Sequence, residues 1–285
     1  MRTSDFNYDL PREYIAQQPV TPRDHSRLLV LNRETGRIQH THFYHLGEFL
    51  NPDDLIVLNK TRVIPARFFG HKIPTGGKIE LLLLEKKDSL TWQALGGGSG
   101  LREGRQLQID EGPKAEIIQV LEGPLRLVHF SEPIEPYFDQ AGQTPLPPYI
   151  HEKLDDPERY QTVYADVLGS AAAPTAGLHF TPRLLNELRE QGIQFANLTL
   201  HVGLDTFAPV HEDDPSQHKI HTEWCRITED AARKINQAHQ AGGRVIAVGT
   251  TSVRTLETAA QRSPDEQPIA PFEGSTDLFI LPGYQ

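Results

Sequence analysis

The chain has 285 residues, of which 38% are hydrophobic and 23% charged, with a formal net charge of -10 and a single cysteine. That length exceeds the range over which one hydrophobic core keeps growing, so two domains are expected. The absence of any apolar run approaching ~18 residues excludes a membrane-spanning helix, one cysteine excludes an internal disulfide or a multi-thiolate metal cluster, and the acidic surplus argues against indiscriminate nucleic-acid binding.

The first residues, MRTSDFNYDLPREYIA, carry acids and lack the apolar stretch of an export signal, so a cytoplasmic protein is expected. Residues 1–105 hold 15 Lys/Arg against 12 Asp/Glu, and residues 106–285 hold 13 against 26. The first third is therefore the place to seek phosphate contacts. Two apolar strand candidates lie there, LLVL from Leu28 and LIVLN from Leu55, and both fit the main sheet. SRLLVL and LNKTRVIPAR place Ser26, Arg27, Asn59, Thr61, Arg62 and Arg67 at strand ends, where arginines either grip phosphates or simply face solvent.

From about Val63 to Tyr149 the text changes to short strand-like runs, ARFFGHKI, KIELLLLEK, LTWQAL, RQLQI, AEIIQV and LRLVHF, separated by Gly, Pro or acidic turns. This spacing predicts a small β-barrel or sandwich. TPLPPYI then reads as a stiff connection.

Beyond residue 150 the elements lengthen. In DPERYQTVYA, Tyr160, Gln161 and Tyr164 suit a bound base or, equally, a short helix with half-buried tyrosines. GSAAAPTAGLHFT follows, residues 169–181, where small residues let a backbone approach a ligand and His179 sits beside a helix start, as a general acid or base or as a packed histidine. Thr181 caps a helix with Pro182 at its first position, Leu184, Leu185 and Leu188 on one face and Gly192 at its end. The strand IQFANLTLHV leads to His201, His211, His218 and His221 and then Glu223, a set that suits a metal site or a polar pocket. Cys225 reads as a small buried residue in the strand WCRI. Thr228 caps a second helix opened by Glu229 and Asp230 and closed by Gly242-Gly243. RVIAVGTTSVRTLE, residues 244–257, then runs a strand into Gly249, Thr250, Thr251 and Ser252 and a helix bearing Arg254. Free N–H groups at such a junction suit a phosphate or carboxylate, and capping by Ser252 is the alternative. Strands alternating with helices predict a mostly parallel sheet covered on both faces.

There is no GxGxxG fingerprint, P-loop, GxSxG elbow or CxxC pair. Taken in order, DFNYDLP with IAQQP and SRLL, LIVLNKTRVIPAR, GGKIELLLL, PLPPYI, ERYQTVYA, AAPTAGLHFT, TLHVG, the HxxHxE stretch and VGTTSVRTLE resemble the S-adenosylmethionine:tRNA ribosyltransferase-isomerase family of queuosine biosynthesis, from Asp5 to Gln285. The resemblance implies an α/β domain from residues 1–63 and 151–285 carrying an inserted β-barrel, residues 64–150. It implies that S-adenosylmethionine is a co-substrate rather than a bound cofactor, with no metal and no prosthetic group. The partner is a tRNA whose wobble base is 7-aminomethyl-7-deazaguanine, and a monomer is expected. The ribosyl group is transferred to the aminomethyl nitrogen and rearranged, giving epoxyqueuosine, adenine and methionine.

Within these motifs His179 or His201 is expected to move the proton. Thr250, Thr251, Ser252 and Arg254, with Thr175 and Gly177, are expected at S-adenosylmethionine, its carboxylate or a phosphate. Tyr160, Gln161, Arg27, Arg62, His218, His221 and Glu223 are expected at the RNA substrate. Two departures stand out: Asp205 replaces a glycine expected in the HVGxGTF run, and relatives are expected to continue beyond LFILPGYQ. The rival readings are a metal-dependent hydrolase built on His201, His218 and His221, and a noncatalytic RNA-binding fragment.

Overall fold

The computed structural model describes residues 1–152, 154–203, 210, 212–218, 220, 222–264 and 267–284. In chain order its elements are β1 (Arg27–Leu31), β2 (Ile38–His42), β3 (Leu55–Asn59), β4 (Thr61–Val63), β5 (Arg67–Lys72), β6 (Lys78–Lys86), β7 (Thr91–Gly97), β8 (Gln106–Ile109), β9 (Lys114–Val120), β10 (Leu125–Phe130), α1 (Phe138–Ala141), β11 (Val167–Ser170), α2 (Pro182–Glu190), β12 (Gln194–Leu200), β13 (Glu223–Ile227), α3 (Glu229–Gln240), β14 (Val245–Ala247), α4 (Thr250–Gln261) and β15 (Phe272–Thr276). The chain divides into two units, one of Met1–Arg62, Pro148–Val167 and Ala173–Gln285, the other of Val63–Pro147 and Leu168–Ala172. Leu168–Ala172, which the helix-rich text beyond residue 150 would have kept with the α/β part, goes with the second unit, where Ile64 N donates to Ser170 O at 3.0 Å.

In the second unit the six runs read as strands close into a barrel in the order β10-β7-β6-β5-β8-β9. Every pairing is antiparallel. Inward positions alternate along the strands, and Phe68, Leu81, Leu107, Ile117 and Phe130 are fully buried. Side chains of this size fill a barrel so small, and closure removes the exposed strand edges.

The first unit is built on a five-stranded sheet ordered β14-β3-β12-β13-β15. β14 and β12 both run parallel to β3, whereas β12–β13 and β13–β15 are antiparallel. The sheet is thus mixed rather than mostly parallel. β13 returns beside β12 in the opposite sense after the 201–222 connection, whose described residues include the short turn Pro215–Gln217.

β3 is buried along its whole length, as a strand covered on both faces must be. Leu55 and Val57 pack with Ala231, Ile235 and Ala238 of α3 and Ala259 of α4. Ile56 and Leu58 pack on the opposite face with Leu184, Leu185 and Leu188 of α2, together with Phe43 and Phe180. The caps are as the sequence indicates: the Thr181 hydroxyl accepts from Leu184 N, and the Thr228 hydroxyl accepts from Ala231 N. Cys225 is fully buried in β13, and burial pushes its thiol up to about 11.

LLVL does not join the large sheet. Among the described residues β1 pairs only with β2, in a separate two-stranded hairpin. Its alternation explains this: Leu28 packs on the α2-side core while Leu29 and Leu31 face solvent, so it has one apolar face where LIVLN has two. No helix of the described residues is long and apolar enough to cross a membrane.

Leu188 is fully buried at the α2 contact, whereas Leu29 is 54% exposed. Leu188→Ala is expected to destabilise the protein by about 2–5 kcal/mol and Leu29→Ala by no more than about 0.5 kcal/mol. Urea unfolding with unchanged slope checks both.

Candidate active site

The parallel strands β14, β3 and β12 end on the same edge of the sheet, and antiparallel β13 begins there at Glu223. Ligands of open α/β sheets bind at this carboxyl edge, where chain leaving the strands presents unpaired main-chain groups. Asn59 closes the ladder: its amide donates to Leu200 O at 3.0 Å, and its oxygen accepts from Leu200 N and Thr61 N, both at 3.1 Å. The chain can then diverge into Thr61 on one side and His201 on the other without losing hydrogen bonds.

Beyond β14, Gly249 has φ of 83°, a left-handed conformation that L side chains adopt only with strain. It is the N-cap residue of α4 and supplies no side-chain cap, so Ser252 lies inside the first turn rather than capping it. The Thr251 and Ser252 hydroxyls are buried without a hydrogen-bond partner among the described residues, and Ser252 is fully buried. A hydroxyl left unpaired in this way costs about 1–3 kcal/mol, so a place where two occur suits polar atoms of a ligand. A Cβ on Gly249 would stand 3.3 Å from that of Ala176, which sets this turn against the Thr175–His179 turn.

His179 is held by a defined relay. Its Nδ1 lies 2.7 Å from Ser26 Oγ, and Ser26 Oγ donates to Arg23 O at 3.0 Å. A carbonyl only accepts, so the single hydroxyl hydrogen of Ser26 is committed, and Ser26 must accept from Nδ1–H. The neutral ring therefore keeps its lone pair on Nε2. Burial lowers the His179 pKa, opposed by the Arg23 backbone. Arg23 in turn donates to Gln161 O at 2.5 Å and Glu158 O at 2.7 Å. The fully buried Asp24 accepts at 2.8 Å from both Thr181 Oγ1 and Arg183 Nη2, tying the same segment to the start of α2.

His201 continues β12. Its Nδ1 is 2.8 Å from Thr61 Oγ1, its ring stacks on Trp224 at 5.1 Å and 18°, and burial lowers its pKa.

Several expected ligand contacts turn out to be internal. Arg254, expected on a substrate carboxylate or phosphate, is paired with Glu223 and donates to Thr276 O at 3.2 Å. Glu223, expected at the RNA, uses its other oxygen to accept from Gly203 N at 2.8 Å. Both side chains are largely buried, so each neutralises the other where a lone charge would be costly. Gly177, expected at the donor, lies against Tyr164: a Cβ there would stand 2.0 Å from the Tyr164 hydroxyl. Tyr160 and Gln161, expected at the RNA, are both buried, and burial pushes the Tyr160 hydroxyl up to about 12.

Thr175 and Thr250 are exposed beside the Gly249 turn. Arg27 is exposed on β1, and Arg62 pairs with the exposed Glu158. His218 pairs with Glu212 at 2.8 Å and packs on Phe279 at 5.8 Å. Asp205, His211 and His221 lie outside the described residues. Among the described residues no three His, Cys, Asp or Glu side chains gather as metal ligands do. Sequence reasoning missed Asp24, Arg23 and Trp224; nothing local marks them, because each acts across more than 20 residues of chain.

With this geometry in place, residues 3–285 match the family model described as queuosine biosynthesis protein. The chain belongs to this family. It is 49% identical over its whole length to a protein of Symbiobacterium thermophilum and 51% identical to one of Acetivibrio thermocellus, in each case spanning 84% of the relative. Both relatives are named S-adenosylmethionine:tRNA ribosyltransferase-isomerase. It is also similar to a crystal structure of S-adenosylmethionine tRNA ribosyltransferase from Thermotoga maritima, at 36% identity and a TM-score of 0.49, covering 99% of this chain and 80% of that one.

The close approach at Gly177 yields a direct test. Gly177→Ala is expected to lower the melting temperature by several degrees, as overpacking of about 1–3 kcal/mol does. Adding Tyr164→Phe, which removes the hydroxyl nearest the new methyl, should recover part of that loss. Equal melting of the single and double variants would contradict the packing described.

Proposed function

We infer that this member of the queuosine biosynthesis family carries the activity its relatives are named for, S-adenosylmethionine:tRNA ribosyltransferase-isomerase. The sulfonium of the donor acidifies the adjacent ribose carbon, so a base can take a proton there and adenine can depart. The amine of the modified wobble base then attacks the sugar, methionine leaves, and epoxyqueuosine results. S-Adenosylmethionine and tRNA are the substrates.

One observation carries this reading for the chain's own residues: the buried, unpartnered hydroxyls of Thr251 and Ser252 stand beside the turn bearing His179. We assign these hydroxyls, with Thr250, to polar atoms of the donor. We assign His179 to proton abstraction through Nε2, because the Ser26 relay leaves that atom as the acceptor and burial favours the neutral ring. His201 is assigned a supporting place at the same edge, held by Thr61 and Trp224. Arg254 and Glu223 are assigned to holding Gly203 and β15 at that edge, not to substrate.

The test is incubation with labelled S-adenosylmethionine and tRNA carrying the aminomethyl base, following adenine release and the ribosyl adduct. Both are expected; a chain that binds both substrates yet releases no adenine contradicts the assignment. His179→Ala is expected to lower kcat/KM by about 10²–10⁴-fold. The pH dependence has a definite sign. A base works unprotonated, and the His179 pKa lies below the usual imidazole value of about 6.5. This group therefore supports full activity above that value and loses it as pH falls through its lowered pKa. Ser26→Ala should reduce kcat while leaving KM for S-adenosylmethionine unchanged, because it frees the tautomer without touching the donor.

A further inference from the structure

The β1–β2 hairpin presents a face that is exposed among the described residues. Strand alternation puts Arg27, Leu29 and Leu31 on one side of β1, and the register sets His42, His40 and Ile38 directly opposite them. All six are exposed, with Leu29, Leu31 and Ile38 each at 54%, while Leu28 on the other side packs into the core. The connecting turn adds exposed Arg33 and Arg37. It is a built turn: Asn32 Oδ1 accepts from Glu34 N at 3.1 Å and Thr35 N at 2.8 Å.

The charge of this surface is opposite to that of the chain. Residues 25–45 contain three arginines, four histidines and the single acid Glu34, in a protein of net charge -10. Among the described residues none of Arg27, Arg33 and Arg37 is in an ion pair, although arginines elsewhere in this unit pair repeatedly with carboxylates. Aromatic and imidazole rings continue the face at its base. His42 stacks on Tyr44 at 5.4 Å and 3°, and His25 lies against Tyr44 at 5.1 Å. Unpaired guanidiniums beside stacked rings are what a phosphodiester backbone and its unstacked bases require.

The face also leads into the candidate active site. Arg27 follows Ser26, whose hydroxyl holds His179, and Phe43, next to Tyr44, packs 5.3 Å from the His179 ring. Phe43 N donates to Ser26 O at 2.9 Å, closing the base of the hairpin against that relay.

We propose that the exposed face of the β1–β2 hairpin, with Arg27, Arg33, Arg37, His40, His42 and Tyr44, is the docking surface for the RNA substrate, gripping the loop backbone and leading its unstacked base toward His179. This rests on the function proposed above and adds to it the part of the protein that holds the RNA. A self-associating apolar patch is the competing occupant, and the concentration of unpaired arginines argues for the polyanion.

The experiment measures binding of an anticodon stem-loop RNA to the full chain by fluorescence anisotropy across a salt series, without turnover. The triple variant Arg27→Ala, Arg33→Ala, Arg37→Ala is expected to weaken binding at least tenfold and to make the dependence of log K on log salt shallower by about two, the effect of roughly three lost contacts to single-stranded phosphates. His42→Ala should weaken binding with the salt slope unchanged, as loss of a stacking ring does. Unaltered affinity and slope in the triple variant, with wild type binding RNA, overturn the docking face and leave the proposed function standing. Wild type that binds no RNA overturns both. Sedimentation supplies the remaining outcome: a dimer that Leu29→Asp dissociates, with RNA affinity intact, makes the hairpin a self-association surface and overturns the proposal.

Discussion

Everything at the candidate site depends on how β3 is locked between its two parallel neighbours. At its entry the fully buried side of Asp54 receives the Arg244 guanidinium, and Arg244 N donates to the same carboxylate at 3.2 Å, fixing the start of β14 to the start of β3. That hydrogen-bonded pairing holds the Asp54 carboxyl below the usual carboxylate range despite the opposing effect of burial. At its exit Asn59 performs the same service toward β12. A strand buried on both faces tolerates no slip, because a shift of one residue would exchange the Leu55/Val57 and Ile56/Leu58 faces between α3 and α2.

This lock turns sequence separation into proximity. Gly249, Thr61 and His201 are far apart in the chain and leave three adjacent strands at one edge. Around them the charged groups are spent internally: Arg254 on Glu223, Arg183 on Asp24, Arg62 on Glu158. The two turns carry the buried hydroxyls of Thr251 and Ser252 and the His179 imidazole, whose protonation burial opposes.

Much of this was legible in the sequence because local patterns decide it. The six barrel strands follow from two-residue alternation between turn residues, and the caps at Thr181 and Thr228 from hydroxyls placed before apolar stripes. The GTTS junction after RVIAV marked the strand-to-helix turn correctly. What local pattern cannot carry is the identity of a partner across the fold. The pairing of Arg254 with Glu223 and the approach of Tyr164 to Gly177 are partnerships of that kind. The sense of each strand is likewise beyond local pattern, since alternation of helices and strands says nothing of β13, which runs antiparallel to both β12 and β15. The Ser26 relay was half visible: the serine stood at a strand end in the sequence, but its meaning required His179 from 153 residues away.

The most direct test is a structure of the chain with S-adenosylmethionine bound. The donor is expected at the carboxyl edge of β14 and β3, with polar atoms on the Thr251 and Ser252 hydroxyls and the sulfur-bearing carbon within reach of His179 Nε2. A donor found at another edge of the sheet, with both hydroxyls still unengaged, would contradict that placement.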